Sequence, residues 1–438
     1  MARSCAQARL NRRQLIAASS LALTTMSIES SEARQATPVA GSPTLAIEPG
    51  IVAFDQPFRV TISDLPPGVE VTIRSSFLDG RARTWRAEAT WIADAGGYVD
   101  CSAMIPNAGD FTVADSMAFI WAASAGAPTW FIPSLYGANP VTFTAHLGDQ
   151  QVDAATIERV MLPPDWPVEE MVSPEMVATF VPPIGATTSP APAVIVIGGS
   201  EGGAGPVHVA ALFAMHGYTA LALGYFGSAP LPPTLQDIPL EYFGNAIGWL
   251  QSHPAVDAER IAMVGFSRGG EGTLLVASHY PEIKAAISYA GSGLVFGAPG
   301  IWPSVPAWTW QGEPVPYVTA DTPAAIATAE IPVEDVNGPI VLIAGDADLL
   351  WGLPAPQLSA FAWRRLQEHA HPWPNQFLVY PGAGHGITPP YAAMTFQRDH
   401  PSFPMGGSPL ADQIASANAW QAVLNTLAWR FSPDSVNL

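Results

Sequence analysis

The sequence predicts an α/β protein in two parts, in which a β-sandwich precedes a mostly parallel sheet flanked by helices. The first observation is a period of two in the hydrophobic residues of residues 45–150, interrupted by turns of proline and glycine. The second is that beyond residue 190 buried apolar runs alternate with helical patterns, as in parallel sheets. The third is a Gly-x-Ser-x-Gly pentapeptide between one such run and the next helical pattern.

Composition narrows the classes of partner. The 438 residues suffice for two domains with substantial cores, and 48% are hydrophobic. No uninterrupted apolar run approaches the roughly 20 residues of a membrane span. The formal charge is −19 and Lys284 is the only lysine, a balance that repels nucleic acid and anionic membranes. We therefore expect a small-molecule substrate, with no nucleic acid and no membrane span.

The N-terminus predicts an export signal over residues 1–33. Arg12 and Arg13 precede an apolar stretch and the small-residue pattern Ser31–Ala33, which together resemble a twin-arginine signal for a periplasmic or extracellular protein. The alternative is a disordered extension of a cytoplasmic protein. Residues 34–44 read as a flexible tether. After cleavage Cys101 would be the single cysteine, so no intramolecular disulfide could form.

The sandwich is predicted over residues 45–150 and a proline-rich linker over residues 151–190. Turn residues separate the alternating strand patterns, which cover Phe58–Ile62, Val69–Arg74, Trp85–Trp91 and Val141–Ala145. No residue here has catalytic spacing, and we expect this domain to cover the cleft of the second. The segment from Gly291 to Pro332, rich in Trp, Pro and Gly, is expected to shape the substrate pocket.

The second domain is predicted over residues 191–438. Buried strands are expected at Ala193–Ile197, Thr219–Leu223, Ile261–Val264, Ala285–Tyr289, Pro339–Ala344 and Gln376–Tyr380. Helices are expected at Val207–His216, Leu240–Ser252, Gly270–His279, Leu358–Ala370 and Asp412–Phe431.

The pentapeptide Gly265–Gly269 lies between a predicted strand and a predicted helix, the context of a nucleophile elbow with Ser267 at its tip. The loop Gly198–Gly203 has neither the lysine of a phosphate loop nor dinucleotide spacing, and we interpret it as an oxyanion loop. The N–H of Arg268 would be one oxyanion donor and that of Ser200 the other, with Glu201 as the alternative.

Two further strand ends supply the partners of a Ser-His-Asp triad, in the chain order of an α/β-hydrolase. Asp348 is the predicted acid, with Asp346 as its competitor, and His385 is the predicted base. Each residue alone could be an ordinary turn or loop residue, but their order on three strand ends favours a triad. The other histidines lack metal-ligand spacing, so neither a metal nor an organic cofactor is expected.

Beside the elbow, Arg268 and Glu271 could contact substrate, although Glu271 is better explained as a residue that fixes the start of the helix. We expect Glu271 and Asp346 to support the catalytic residues without contacting the substrate.

From about Leu45 to Phe431 the chain resembles the acyl-CoA thioesterase and bile acid-CoA:amino acid N-acyltransferase family. The matching stretches are Leu240–Phe243, Ser252–Pro254, Gly265–Glu271, Ile331–Glu334, Tyr380–His385, Pro389–Tyr391, Gly406–Pro409 and Ala419–Trp420. The resemblance implies a β-sandwich followed by an α/β-hydrolase domain, with nucleophile, acid and base at Ser267, Asp348 and His385. The family's two adjacent acids are separated here by Ala347.

The resemblance implies hydrolysis of an acyl thioester such as acyl-CoA through an acyl-enzyme. Members specialised for transfer to amino acids resemble this chain but tend to use cysteine, so Ser267 favours hydrolysis. CoA, however, is a cytoplasmic polyanion, whereas this chain is acidic and carries an export-like N-terminus. The alternatives are therefore an exported carboxylesterase or peptidase-like hydrolase, an acyl-CoA:amino acid N-acyltransferase, and a catalytically silent binding protein.

Overall fold

The computed structural model describes residues 41–185, 189–300, 304–352, 354–393 and 404–432. The predicted export signal and residues 34–40 of the predicted tether lie outside the described residues. None of the helices in the described ranges is both long and apolar enough to cross a membrane.

The N-terminal part is a β-sandwich, as the alternating patterns predict. Its strands are β1 (Thr44–Glu48), β2 (Ile51–Ala53), β3 (Arg59–Ser63), β4 (Glu70–Leu78), β5 (Thr84–Ile92), β6 (Val99–Asp100), β7 (Ala108–Gly109), β8 (Ala138–Leu147) and β9 (Gln150–Val160). One sheet has the order β1–β3–β6 and the other β2–β9–β8–β4–β5–β7. The short helix α1 (Ala118–Trp121) adds four buried side chains to the core between them.

The range predicted to be a linker, residues 151–190, contains three strands. Most of it up to Val160 belongs to β9, which pairs with β8 in the sandwich. Residues 169–173 and 176–181 form β10 (Glu169–Ser173) and β11 (Met176–Val181), an antiparallel hairpin at the edge of the next sheet. The linker prediction was wrong because the prolines of this range lie between strands and do not interrupt them.

The second part is an α/β-hydrolase domain around an eight-stranded sheet. Besides β10 and β11, its strands are β12 (Ala191–Ile197), β13 (Thr219–Gly224), β15 (Val256–Phe266), β16 (Ile283–Tyr289), β19 (Ile340–Gly345) and β20 (Gln376–Tyr380), in the order β10–β11–β13–β12–β15–β16–β19–β20. These six run parallel to one another, and all of the predicted strands overlap them. A small sheet contains β14 (Ile238–Pro239), β17 (Trp308–Trp310) and β18 (Glu313–Pro314).

Helices cover both faces of the large sheet. They are α2 (Val207–Met215), α3 (Leu240–Ser252), α4 (Arg268–His279), α5 (Pro323–Ala329), α6 (Ala355–Glu368) and α7 (Pro409–Arg430), with a 3₁₀ turn at Val333–Asp335. Helices α3, α4 and α6 pack in one apolar cluster, whereas α2 and α7 share a cluster with the sandwich. The sandwich therefore covers the α2–α7 face.

A buried polar contact joins the two parts. Asp55 of the sandwich accepts hydrogen bonds at Oδ2 from Trp420 Nε1 at 2.7 Å and from His216 Nε2 at 2.6 Å. Burial acts to raise the pKa of Asp55, but these hydrogen bonds and the charge of His216 lower it below its usual value. The carboxylate thus stays ionised where the sandwich meets α2 and α7.

Candidate active site

Ser267 lies on the strained turn that the pentapeptide predicts. Its φ of 55° and ψ of −121° are unusual for a residue with a side chain, and conformations of this kind cost on the order of 1–3 kcal/mol. A 2.8 Å hydrogen bond from Ser267 N to the carbonyl of Tyr289 holds the turn against β16. A Cβ on Gly265 would lie 2.0 Å from Gly269 O, and one on Gly269 would lie 2.1 Å from Gly198 O. The turn therefore requires both glycines.

Helix α4 begins at Arg268, so the N–H of Arg268 is among the first of that helix and has no acceptor within it. The glycine loop after β12 lies directly against the serine, since a Cβ on Gly199 would be 2.9 Å from Ser267 Cβ. Ser200 follows in the chain and is exposed. The glycine loop and the first turn of α4 thus both lie beside Ser267, the position from which backbone N–H groups would form the expected oxyanion site.

Two side chains fix the glycine loop. The carboxylate of Glu201 accepts a 2.8 Å hydrogen bond from the N–H of Gly199. The hydroxyl of Tyr225 reaches the carbonyl oxygens of Gly198 at 3.0 Å and Gly199 at 3.1 Å. The sequence analysis did not single out Tyr225, because this residue lies 26 positions after Gly199 and no motif surrounds it. Glu201 contributes its side-chain carboxylate to the glycine loop.

Asp348 and His385 meet in a buried pair. Asp348 Oδ2 lies 2.6 Å from His385 Nδ1, and the side chains are 0% and 6% exposed. The other carboxylate oxygen accepts the N–H of Leu350 at 2.9 Å. Because the carboxylate binds Nδ1, the Nε2 of the ring is left to take up a proton.

Asp346, the competing acid, faces a different partner. It is exposed, and its carboxylate accepts a 2.6 Å hydrogen bond from the N–H of Gly382. Asp346 thus holds the start of the segment that carries the histidine, which we call the histidine loop (residues 381–393). The structure pairs His385 with Asp348 and gives Asp346 this separate contact.

The histidine loop also packs on the segment around Gly406. The N–H of His385 donates to the carbonyl of Met405 at 2.7 Å. A Cβ on Gly384 would lie 2.5 Å from backbone atoms of Gly406, and a Cβ on Gly406 would lie 1.8 Å from Ala347 O. The loops that carry Asp348 and His385 therefore rest on this glycine. The resemblance singled out Gly406–Pro409, but its role in packing needed the structure.

Arg268 and Glu271 form a buried ion pair at 2.7 Å, with side chains 5% and 0% exposed. Burial raises the pKa of Glu271 to about 7, against the lowering effects of the Arg268 charge and a hydrogen bond from Trp308 Nε1. Arg268 also donates to the carbonyls of Phe296 and Gly297 at 2.9 and 3.0 Å. The pair ties the start of α4 to the segment after β16.

These groups lie at one edge of the sheet, since Ser267, Asp348 and His385 follow the carboxyl ends of the parallel strands β15, β19 and β20. Within the described residues no hydrogen bond joins Ser267 to His385. Catalytic hydrogen bonds often close only in the substrate complex. Among the residues described, no cluster of three or more His, Cys, Asp or Glu has the geometry of a metal site.

The chain matches two family models. Residues 55–170 match the acyl-CoA thioester hydrolase/BAAT N-terminal region, and residues 238–429 match the BAAT/acyl-CoA thioester hydrolase C terminal. It is 30% identical to rat mitochondrial acyl-coenzyme A thioesterase 2, over 86% of this chain and 87% of that protein. It is 29% identical to human acyl-coenzyme A thioesterase 1, over 86% and 94%, and 28% identical to mouse peroxisomal succinyl-coenzyme A thioesterase, over 87% and 95%.

Two similar solved structures are less identical to this chain in sequence. A putative dienelactone hydrolase from Klebsiella pneumoniae is 20% identical and gives a TM-score of 0.39 over 60% of this chain and 98% of its own. A puromycin-hydrolyzing peptidase of Mycobacterium tuberculosis is 14% identical, with a TM-score of 0.44 over 82% of this chain and 53% of its own.

Proposed function

Because the chain belongs to the acyl-CoA thioester hydrolase/BAAT family, we propose that it hydrolyses acyl thioesters through an acyl-enzyme on Ser267. The observation that carries the proposal is the buried 2.6 Å contact between Asp348 and His385 at the sheet edge that presents the strained Ser267. A serine, a histidine and an acid in this arrangement perform nucleophilic acyl transfer without a cofactor.

In the first step, Ser267 Oγ attacks the thioester carbonyl and its proton passes to His385 Nε2. The charge that develops on the carbonyl oxygen is stabilised by the N–H groups of Arg268 and Ser200. As the intermediate collapses, the carbon–sulfur bond breaks and His385 returns the proton to the leaving thiolate. Asp348 stabilises the imidazolium and holds the ring with Nε2 toward the serine.

In the second step, water attacks the acyl ester of Ser267 and gives its proton to His385. The carbon–oxygen bond to Ser267 breaks, Ser267 regains a proton, and the carboxylic acid leaves. An amine in place of water would give an amide, the transfer reaction that the presence of serine disfavours.

The acyl donor is a second part of the proposal. We take acyl-CoA as the substrate because the named relatives above are acyl-CoA thioesterases. Export of the chain, predicted from residues 1–33, remains a proposal, and an exported enzyme would act on a thioester or ester without CoA. Sequencing the N-terminus of the protein from the culture medium or periplasm tests export directly.

The decisive experiment compares the purified chain with Ser267→Ala on acyl-CoAs of several lengths, simple thioesters and p-nitrophenyl esters. We expect thioester hydrolysis that Ser267→Ala lowers by several orders of magnitude.

Ser278→Ala, in the helix that follows the elbow, is the matched control and should keep full activity. Hydrolysis by Ser267→Ala at the normal rate would refute the mechanism, and ester turnover without thioester turnover would refute the substrate class. Adding glycine or taurine tests amide formation.

A further inference from the structure

A cavity of about 360 Å³ lies between the sandwich and the hydrolase domain. Phe54, Trp121, Phe131 and Met161 line it from the sandwich, and Val209 and Leu212 line it from α2. The rest of the described wall comes from residues 130–133 of the sandwich, from His208, from the histidine loop and from residues 406–416. No described residue of the segment from Gly291 to Pro332, expected to shape the substrate pocket, contributes to it.

The cavity is next to the proposed catalytic base. Gly386, which follows His385, is part of its wall, and so is Gly406, on which the loops of the acid and the base rest. Helix α2 begins just after the glycine loop that lies against Ser267. The cavity therefore lies at the sheet edge that carries Ser267, on the α2–α7 side.

Most polar groups of the wall already have backbone partners. Asp412 accepts the N–H of Gly384 at 2.6 Å, and the hydroxyl of Ser416 accepts the N–H of Thr388 at 3.1 Å. The ring of His208 donates to the backbone carbonyl of a proline in the sandwich, and burial lowers its pKa, so the ring is neutral. The wall thus presents mainly aromatic and aliphatic surface to a ligand, and Asp412 is the one acidic side chain among its described residues.

One polar side-chain atom in the described wall of the cavity lacks such a partner. Gln413 is 8% exposed, lies in the wall, and its Nε2 has no hydrogen-bond partner in the described part of the chain. A buried donor without a partner costs about 1–3 kcal/mol, so a ligand oxygen near it would be favoured.

We propose that this sandwich cavity binds the acyl chain of the substrate, an inference that rests on the proposed thioester hydrolysis. An apolar site of this volume falls within the usual range for small-molecule sites. At about 30 Å³ for a water-sized group, 360 Å³ holds roughly a dozen such groups, enough for a chain of about ten carbons. Each methylene that enters should raise kcat/KM about fourfold, from about 0.8 kcal/mol per buried CH₂.

The test changes the volume of the cavity at Val209 and follows chain-length preference on p-nitrophenyl esters and acyl-CoAs from acetyl to lauroyl. Val209→Trp should lower kcat/KM for decanoyl substrates tenfold or more and leave acetyl substrates within about twofold, since an acetyl group has no alkyl chain to place in the cavity. Val209→Ala should move the optimum to longer chains. Val172→Trp, on an exposed β10 position, is the control for the added indole and should leave the profile unchanged.

Calorimetry on Ser267→Ala separates binding from chemistry. Decanoate should bind that variant more tightly than butanoate, and Val209→Trp in the same background should abolish the difference. An unchanged length profile together with no difference between the two acids would overturn the cavity assignment while hydrolysis stands. Loss of Ser267 dependence would instead overturn the proposed function, and the calorimetry would still decide whether the cavity binds alkyl chains.

Discussion

The guanidinium of Arg159, in the sandwich, donates a 2.7 Å hydrogen bond from Nη2 to the backbone carbonyl of Tyr391 in the histidine loop. The same nitrogen donates to the carbonyl of Phe54, and the guanidinium lies 3.9 Å from the centre of that ring. Arg159 is 1% exposed, and burial lowers its pKa to about 9 against the nearby charge of Asp55. A second hydrogen bond, from Phe131 N to the carbonyl of Ala393 at 3.1 Å, also joins the sandwich to the histidine loop. The sandwich thus holds the loop that carries His385.

Replacing Arg159 should therefore affect both stability and turnover. Arg159→Met leaves the buried carbonyl of Phe54 and the partly buried carbonyl of Tyr391 without this donor, and we expect a loss of about 2–4 kcal/mol in the free energy of unfolding. Because the histidine loop loses its contact, kcat should fall by more than KM changes. Urea unfolding and steady-state kinetics measure the two effects. Arg74→Met is the control, since its ion pair with Glu88 is exposed on the same sandwich; equal results for the two variants would contradict the role of Arg159.

Asp348 and Asp346 offer a matched pair of acids. Asp348→Asn should lower kcat by about 10³–10⁴-fold, because the amide favours the wrong tautomer of His385 and cannot stabilise the imidazolium. Asp346→Asn keeps an oxygen that can accept the N–H of Gly382, so its kcat should change by less than tenfold. Kinetics of both variants at constant fold, checked by circular dichroism, decide the assignment. A larger loss for Asp346→Asn would give the triad to the other acid.

The raised pKa of Glu271 predicts how the free energy of unfolding should depend on pH. Its pKa in the folded chain, about 7, lies above the ordinary value of 4.5, so the folded state binds the extra proton between these values. Its stabilising contribution is fully present below about pH 4.5 and is lost as the pH rises through about 7. Glu271→Gln cannot titrate, and the difference in unfolding free energy between it and the parent chain should change over this window. Glu313→Gln, at an exposed position, should run parallel to the parent.

Much of the site could be predicted because its signals are local. The strand, the elbow and the helix around Ser267 follow each other in the chain, and the need for Gly265 comes from the nearby Gly269, although Gly269 is required by the distant Gly198. The strand before His385 is likewise a short apolar run followed by glycines. Local periodicity and turn chemistry carry this information in the sequence.

The contacts between the two parts could not be predicted in the same way. Arg159 meets Tyr391 across 232 positions, and Asp55 meets His216 across 161. No periodicity links such pairs, and their contact depends on how the sandwich packs against α2 and α7.

The hairpin of β10 and β11 was missed for a different reason. Flanking prolines made it look like a linker, although its second strand is almost entirely buried.

Gly406 packs against the loops that carry Asp348 and His385, and its replacement should affect both. Gly406 has φ of 69° and a Cβ there would lie 1.8 Å from Ala347 O, one residue before Asp348. Gly312 has a similar φ of 81° but no atom within 4 Å of its would-be Cβ. Both Gly→Ala changes place a side chain on a left-handed backbone conformation, which costs about 1–2 kcal/mol. Gly312→Ala is therefore the control for this backbone cost alone. Gly406→Ala must in addition displace the loop of Asp348. We expect a larger loss of unfolding free energy and a fall in kcat of at least a hundredfold, against less than twofold for Gly312→Ala. Equal kcat values in the two variants would mean that Gly406 supports neither loop.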